Sequence, residues 1–199
     1  MSPKIKICGI TNLEDALISI EAGADALGFV FYEKSPRYIS PEKTAEIISE
    51  LPPFIEKVGL FVNQNSETIN RIARKSKITL AQLHFEIEKI EREKIEIQNI
   101  QVIRAKSENS LNLLKNEYCF VDAFVDEFGG IGKRLNLDWF KNRDNSKTII
   151  AGGLTPENIT ELDGFGFFGV DISSGVEKEK GKKSKEKVID FIEKAKKLR

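Results

Sequence analysis

The sequence predicts a (β/α)8 barrel of eight parallel strands in a single domain spanning 1–199. Three observations carry that reading. Short β-rich runs alternate with amphipathic helical segments, the pattern of a parallel sheet covered by helices. Eight such units follow one another at roughly 20–30 residues each, which fits a closed barrel near its lower size limit. No G-x-G-x-x-G follows the first strand, which disfavours the alternative, an open doubly wound sheet.

The elements follow in order. "KIKIC" is the first strand, and Thr11 with Glu14 three residues on has the pattern of a capping box opening a helix whose face is Leu13, Ala16, Leu17 and Ile20. "ALGFVF" is the second strand, "SPRYIS" a loop, and Ser40-Pro41 the cap and first position of a helix with Ala45, Ile48 and Leu51 inward. "EKVGLFV" is the third strand, and Ser66 opens a helix with Ile69, Ile72 and Ala73 inward. "TLAQLH" is the fourth, followed by a charged helix from Ile87 to Lys94, and "IQVIRAK" the fifth, followed by a helix from Ser110 to Lys115. "YCFVDAFVDEF" is the sixth, followed by a Gly-rich loop and a short helix from Leu137 to Asn142. "KTIIAGGL" is the seventh, with Thr155-Pro156 capping the next helix, and "GFFGVDISSG" the eighth. A last helix starts near Ser184 with Val188, Phe191, Ile192 and Ala195 on one face.

Composition excludes several function classes. A hydrophobic share of 40% supports a real core, and a formal net charge of zero gives no electrostatic footprint for nucleic acid or an acidic membrane. No apolar run reaches the roughly 18–20 residues of a membrane span, and no basic-apolar leader precedes the first strand. The charge-rich stretches "EIEKIEREKIEI" and "KEKGKKSKEK" read as solvated helix faces and a polar loop. The expectation is a cytoplasmic protein, monomer or homodimer.

A barrel carries its site at the carboxyl ends of its strands. At those ends lie Cys8, Arg37, His84, Asp126, the pair Gly152-Gly153, and Asp171 with Ser173, Ser174 and Gly175. Cys119 enters the sixth strand near its amino end, on the far side of the barrel and the opposite face, which argues against a disulfide with Cys8. One histidine and two distant cysteines make no zinc ligand set. Strand-end position alone leaves Cys8 open between buried filler and reactive thiol, and His84 between a satisfied histidine and a functional one. The planar fork of Arg37 suits a carboxylate or phosphate if it faces the barrel mouth. Alternation sends Asp126 and Glu127 to opposite faces, while Phe124 and Phe128 can desolvate Asp126 and raise its pKa; a capping or loop role is the alternative. The glycines after the seventh strand and Ser-Ser-Gly after the eighth expose backbone N–H groups and hydroxyls, as barrel phosphate sites do.

The motifs "KICGIT", "SPRYIS", "VGLFVN", "QLH", "GGIGKRLNLDW", "AGGL" and "GVDISSGVE" occur in the order and spacing of the phosphoribosylanthranilate isomerase family, which the chain resembles over nearly its whole length. The resemblance implies a step of tryptophan biosynthesis. N-(5-phosphoribosyl)anthranilate undergoes an Amadori rearrangement to 1-(2-carboxyphenylamino)-1-deoxyribulose 5-phosphate, with neither metal nor organic cofactor. It implies Cys8 as general base and Asp126 as general acid. Arg37 matches the position that holds the anthranilate carboxylate, Asp171 one near the anthranilate nitrogen, and His84 a pocket position. Gly152, Gly153, Ser173, Ser174 and Gly175 match the phosphate-binding loops. The implied partner is a phosphorylated small molecule, with no nucleic acid and no membrane. The chain departs from the family pattern at Phe85, where glycine usually follows "QLH", and at Ile131 in "GGIG". Two other readings are an isomerase of another aminated sugar phosphate and a non-catalytic phosphate-binding barrel.

Overall fold

Period-two alternation sends successive side chains of a strand to opposite faces, and here that divides each strand between a barrel interior and an outer shell under the helices. The computed structural model describes residues 2–114, 116–123 and 134–199. The strands are β1 (Lys4–Cys8), β2 (Ala26–Val30), β3 (Glu56–Phe61), β4 (Leu80–Leu83), β5 (Gln98–Ala105), β6 (Cys119–Ala123), β7 (Thr148–Ile150) and β8 (Gly169–Ile172). They pair in chain order, all parallel, and β8 closes on β1 with Lys6 opposite Asp171 and Ile7 opposite Ile172. The closed barrel is the architecture that the eight-fold alternation predicts.

The outer shell holds the main core. Ile5, Ile7, Leu27, Phe29, Phe61, Ala81, Leu83, Val121, Ile150, Val170 and Ile172 pack there with the covering segments. Inside the barrel a smaller apolar layer, Ile100, Val102 and Phe120 with Leu80 and Ile149, fills the middle. Above it, toward the carboxyl ends, the inward positions turn polar: Lys6, Gln82, Arg104, Asp122 and Asp171.

Among the described residues four α-helices lie between strands in the first half, and one follows the last strands. They are α1 (Leu13–Ala22), α2 (Pro41–Ser49), α3 (Ser66–Ser76), α4 (Lys89–Arg92) and α5 (Lys185–Ala195). Ser40 and Ser184 cap α2 and α5 as the sequence suggests, each accepting a backbone N–H with its side chain. Two caps move by one residue. Asn12, not Thr11, accepts the Asp15 N–H at 2.8 Å, while Thr11 donates its hydroxyl to the Gly181 carbonyl at 2.6 Å. Asn65, not Ser66, accepts the Thr68 N–H at 2.9 Å. The expected inward faces hold in part. On α1 Ala16 is buried and Leu13 and Ile20 pack on the core, with Asp15 and Ser19 buried beside them; on and just after α2, Ile48 and Leu51 pack on the core beside the buried Thr44 and Ile47. The charged helix after β4 shrinks to the single turn of α4, and the helices expected near Ser110, after Leu137 and after Thr155-Pro156 are 3₁₀ turns at Glu108–Leu113, Leu137–Phe140 and Ile159–Leu162. Ser and Asn in "ENSLNL" compete with the backbone for hydrogen bonds, and short segments give helix propagation little room.

The polar stretch "KEKGKKSKEK" is mostly exposed, with only Gly181 and Lys183 buried within it. It contributes to a small antiparallel hairpin, β9 (Glu177–Glu179) and β10 (Lys182–Lys183), set between β8 and α5.

Candidate active site

β1 places Lys6 and Cys8 on the same inward face. Lys6 donates to Asp171 Oδ1 at 2.9 Å, and its ammonium sits 5.3 Å from the centre of the Phe120 ring below. Gly28 on β2 makes room for both β1 groups, because a Cβ there would lie 2.7 Å from Cys8 Sγ and 2.9 Å from Lys6 Nζ. The thiol and the ammonium therefore share one small space.

Burial pushes the Cys8 thiol above its ordinary value; the Lys6 charge pulls it back in part, and Asp171 adds to the rise. Burial alone would lower the Lys6 ammonium, but Asp171 and then Cys8 outweigh it and hold the pKa up. Asp122, two residues after Phe120 on β6, faces the same space. Burial, then the Asp171 carboxylate, push it up to about 6, against the opposing pull of a hydrogen bond from the Ala123 backbone and of the Arg104 and Lys6 charges. His84, just past β4, is driven down to about 3 by burial and then by the Lys6 and Arg104 charges. Its Nε2 lies 3.1 Å from Gln82 Nε2. A donating Gln82 amide leaves that ring nitrogen as acceptor and puts the ring proton on Nδ1.

The loops above complete the wall. Gly152 and Gly153 take left-handed backbone, φ 88° and 64°, as a chain reversal with exposed N–H groups requires. Gly175 lies so close to Leu154 that a Cβ would fall 2.0 Å from the Leu154 carbonyl oxygen, which docks the loop after β8 onto the loop after β7. Ser173 Oγ is buried and has no hydrogen-bond partner. Gly9, at φ 78°, sits between the Arg37 side chain and Ser173 Oγ.

Thus Cys8, His84, Asp171, Ser173 and the glycine loops converge on the carboxyl end of the barrel. Arg37 is buried beside them, but its fork does not stand open. Its Nε and Nη2 each donate to Glu177 at 2.7 Å. Burial alone would raise Glu177, yet Arg37 and Lys183 outweigh it and hold the carboxylate low. Asp126 lies outside the described residues. Cys119 packs in the outer shell away from Cys8, and burial, then Glu117, push its thiol up to about 11. Among the described residues no group of three or more His, Cys, Asp or Glu is assembled that could hold a metal ion.

Sequence reasoning missed Lys6, Asp122, Glu177 and Lys183. The first two carried a signal: Lys6 is two residues before Cys8, and Asp122 two after Phe120, so alternation puts each on the inward face. The contacts of Glu177 with Arg37 and of Lys183 with Cys8 carried no local signal, since those partners lie 140 and 175 residues away.

The family model described as "N-(5'phosphoribosyl)anthranilate (PRA) isomerase" matches residues 5–194. The N-(5'-phosphoribosyl)anthranilate isomerase of a Nitratiruptor species is 54% identical over 193 residues, covering 97% of this chain and 98% of that protein. The crystal structure of phosphoribosyl anthranilate isomerase from Thermotoga maritima superposes with a TM-score of 0.90 at 41% identity, over 98% of this chain and 100% of that one. A phosphoribosyl anthranilate isomerase solved in complex with reduced 1-(o-carboxyphenylamino)-1-deoxyribulose 5-phosphate superposes with a TM-score of 0.83 at 40% identity, over the same shares. A barrel with this polar mouth, matched in sequence and structure along nearly all its length, belongs to the N-(5'-phosphoribosyl)anthranilate isomerase family.

Proposed function

We propose that the chain isomerises N-(5-phosphoribosyl)anthranilate to 1-(2-carboxyphenylamino)-1-deoxyribulose 5-phosphate, the tryptophan-pathway reaction of its family, with Cys8 as base and Asp122 as acid. The whole chain acts as one barrel domain on a phosphorylated small molecule, in the cytoplasm. Among the described residues no helix is long and apolar enough to cross a membrane.

The observation that carries the chemistry is the coupled group Cys8, Lys6, Asp171 and Asp122 at the mouth of the barrel. An aldose-to-ketose rearrangement needs a proton delivered to the ribose ring oxygen and another removed from the adjacent sugar carbon. An ordinary aspartate near 3.9 is about one part in a thousand protonated at pH 7. At about 6, Asp122 is roughly one-tenth protonated there, a hundred-fold gain in usable acid. Asp122 gives its proton to the ring oxygen, the C–O bond breaks, and the anthranilate nitrogen becomes an iminium. That cation acidifies the neighbouring C–H, and the Cys8 thiolate removes the proton. The resulting enolamine tautomerises to the ketone. Lys6 beside Sγ favours the thiolate, and Asp171 serves the anthranilate nitrogen.

The remaining contacts follow from the loops. Gly152, Gly153, Ser174 and Gly175 offer backbone N–H groups to the phosphate, and the buried, unpartnered Ser173 hydroxyl gains an acceptor. Arg37, with Nε and Nη2 committed to Glu177, meets the anthranilate carboxylate through Nη1. His84 stays neutral and lines the pocket.

The test is the decay of phosphoribosylanthranilate fluorescence with purified protein and with Cys8→Ser, Asp122→Asn and Asp126→Asn. Cys8→Ser and Asp122→Asn are expected to lose roughly 10²–10⁴-fold in kcat, the usual share of a general acid or base. Loss in Asp126→Asn with Asp122→Asn unaffected would return the acid role to Asp126. An inactive wild-type protein would sink the proposal.

A further inference from the structure

The ladder between β1 and β8 ends at Ile7 opposite Ile172. The next residues on the two strands are Cys8 and Ser173, which carry the base and part of the phosphate loop. No β-ladder rung joins them. A lysine from the distant hairpin stands there instead. Lys183 is 1% exposed, and its ammonium donates to the Cys8 carbonyl at 2.6 Å, the Ser173 carbonyl at 3.1 Å and Glu177 Oε1 at 3.1 Å. An ammonium has three N–H donors, and here all three are used. The Lys183 backbone N–H is held as well, by Asp15 Oδ2 at 2.9 Å, which anchors the hairpin to α1. On its other side β1 is secured by the Gly9 and Ile10 N–H groups, both 2.9 Å from the Gly28 carbonyl.

We infer that Lys183 is a positioning residue for the isomerisation: its ammonium replaces the missing rung between β1 and β8 and sets the distance from the Cys8 thiol to the phosphate-binding loop. The inference rests on the function proposed above. The geometry gives it a mechanical reason. A substrate held at its phosphate by the loop after β8 presents its sugar carbon to β1, so the spacing of the two strand ends decides whether the thiol meets the proton. Misplacement of about 1 Å is enough to lose roughly 10²-fold in rate. The same tripod reaches Arg37 through Glu177, whose two carboxylate oxygens accept from the Arg37 fork. One buried cation thereby coordinates the base, the phosphate loop and the arginine. Burying an ammonium is costly unless it is paired and fully bonded, and a fold that needed only stability there would be served by an apolar side chain.

The experiment compares Lys183→Met and Lys183→Arg with wild type, all checked for folding by circular dichroism and corrected to the folded fraction. Met removes the bridging donors. Arg keeps charge and donors but forces a larger head into a closed space, which spreads the strand ends. Expected are a kcat lowered about 10²-fold in Lys183→Met and about tenfold in Lys183→Arg, with KM within about threefold of wild type in both. A second readout needs no turnover: the rate of Cys8 alkylation by iodoacetamide, mapped by peptide mass spectrometry across pH, is expected to change in both variants. If Lys183→Met does not fold, Lys183→Arg decides alone. Wild-type kcat in either folded variant, or unchanged alkylation in every folded variant, overturns the positioning role. An inactive wild type condemns the proposed function instead, and the alkylation profiles still judge Lys183.

Discussion

Lys6 and Asp171 are register partners on β1 and β8, and their side chains close a 2.9 Å ion pair inside the barrel, both almost wholly buried. The pair is electrostatically coupled to both the thiol of Cys8 and the carboxyl of Asp122. Removing one member of a buried pair strands the other, at about 3–5 kcal/mol. Lys6→Met is therefore expected to lower stability in urea unfolding by about 3 kcal/mol and to move Cys8 alkylation to higher pH. The double variant Lys6→Met, Asp171→Leu is expected to regain much of the stability, since apolar replacement of both partners is often neutral, and to remain inactive.

Asp122 gives a pH dependence of opposite sign to most carboxylates. Its folded pKa of about 6 lies above the ordinary 3.8, so its favourable contribution is complete below about pH 3.8 and is lost as pH rises through about 6. The gap is about two units, or about 3 kcal/mol at 1.36 kcal/mol per unit. Asp122→Asn is expected to gain up to about 3 kcal/mol relative to wild type between pH 4 and pH 8, read from urea midpoints across that range. A constant difference across pH would mean that the carboxyl is not held in a costly charged state.

The histidine runs the other way. His84 has its folded pKa lowered to about 3, so it contributes full stability above its ordinary 6.5, and that stability is lost as pH falls from 6.5 toward 3. His84→Gln is expected to flatten the decline of stability between pH 6.5 and 4. The wild-type ring is expected to show no titration by NMR between pH 5 and 8. A ring that titrates near 6.5 would contradict its burial beside Lys6 and Arg104.

The barrel was legible because strand alternation and eight-fold recurrence are local signals, and the closed parallel order follows from them. The ends of elements were less so. Asn and Ser are both good caps, and at Asn12 and Asn65 the amide won by one position. At the site, Cys8, Asp171 and Ser173 were legible as strand-end polar groups. Lys6 was not among the expected site residues: a lysine inside an alternating strand suits the solvent side of a one-faced sheet, whereas the interior of this barrel is polar near the mouth and buries it. The sequence pointed to Asp126, which lies outside the described residues; Asp122, one strand alternation after Phe120, drew no attention because a single inward carboxyl carries no pattern of its own. The fork of Arg37 was expected to suit a carboxylate or phosphate if it faced the barrel mouth, and the neighbour that occupies two of its nitrogens was not legible. Its partner Glu177 is 140 residues away, and Lys183 is 175 from Cys8, so no local pattern shows either contact.

Gly175 tests the docking of the two loops proposed to hold the phosphate. A Cβ there would lie 2.0 Å from the Leu154 carbonyl oxygen, a backbone atom that cannot step aside without moving its loop. Gly175→Ala is expected to raise KM at least tenfold, because loop separation weakens ground-state phosphate binding, and to destabilise by about 1–3 kcal/mol. Inorganic phosphate inhibition should weaken in parallel. An unchanged phosphate inhibition constant would detach this contact from phosphate binding.

Gly28 tests the thiol itself. A Cβ there would meet Cys8 Sγ at 2.7 Å, Lys6 Nζ at 2.9 Å and Cys8 Cα at 3.0 Å. The first two are side-chain ends that can swing away, and the third is backbone that can shift by a few tenths of an ångström. Gly28→Ala should therefore fold, at about 1–3 kcal/mol below wild type, with thiol and ammonium pushed apart. Separation weakens the pull of Lys6 on Cys8, so alkylation of the thiol moves to higher pH. It also displaces Sγ from the sugar carbon, so kcat falls by at least about tenfold while KM stays near wild type, because the atoms nearest the new Cβ belong to Cys8 and Lys6 and not to the groups proposed to hold phosphate and carboxylate. Gly28→Ala and Gly175→Ala thus separate the two halves of the site, one acting on kcat and the other on KM. The same split from both variants, or equal loss in kcat and KM from each, would show that thiol and phosphate loop are not separable in this barrel.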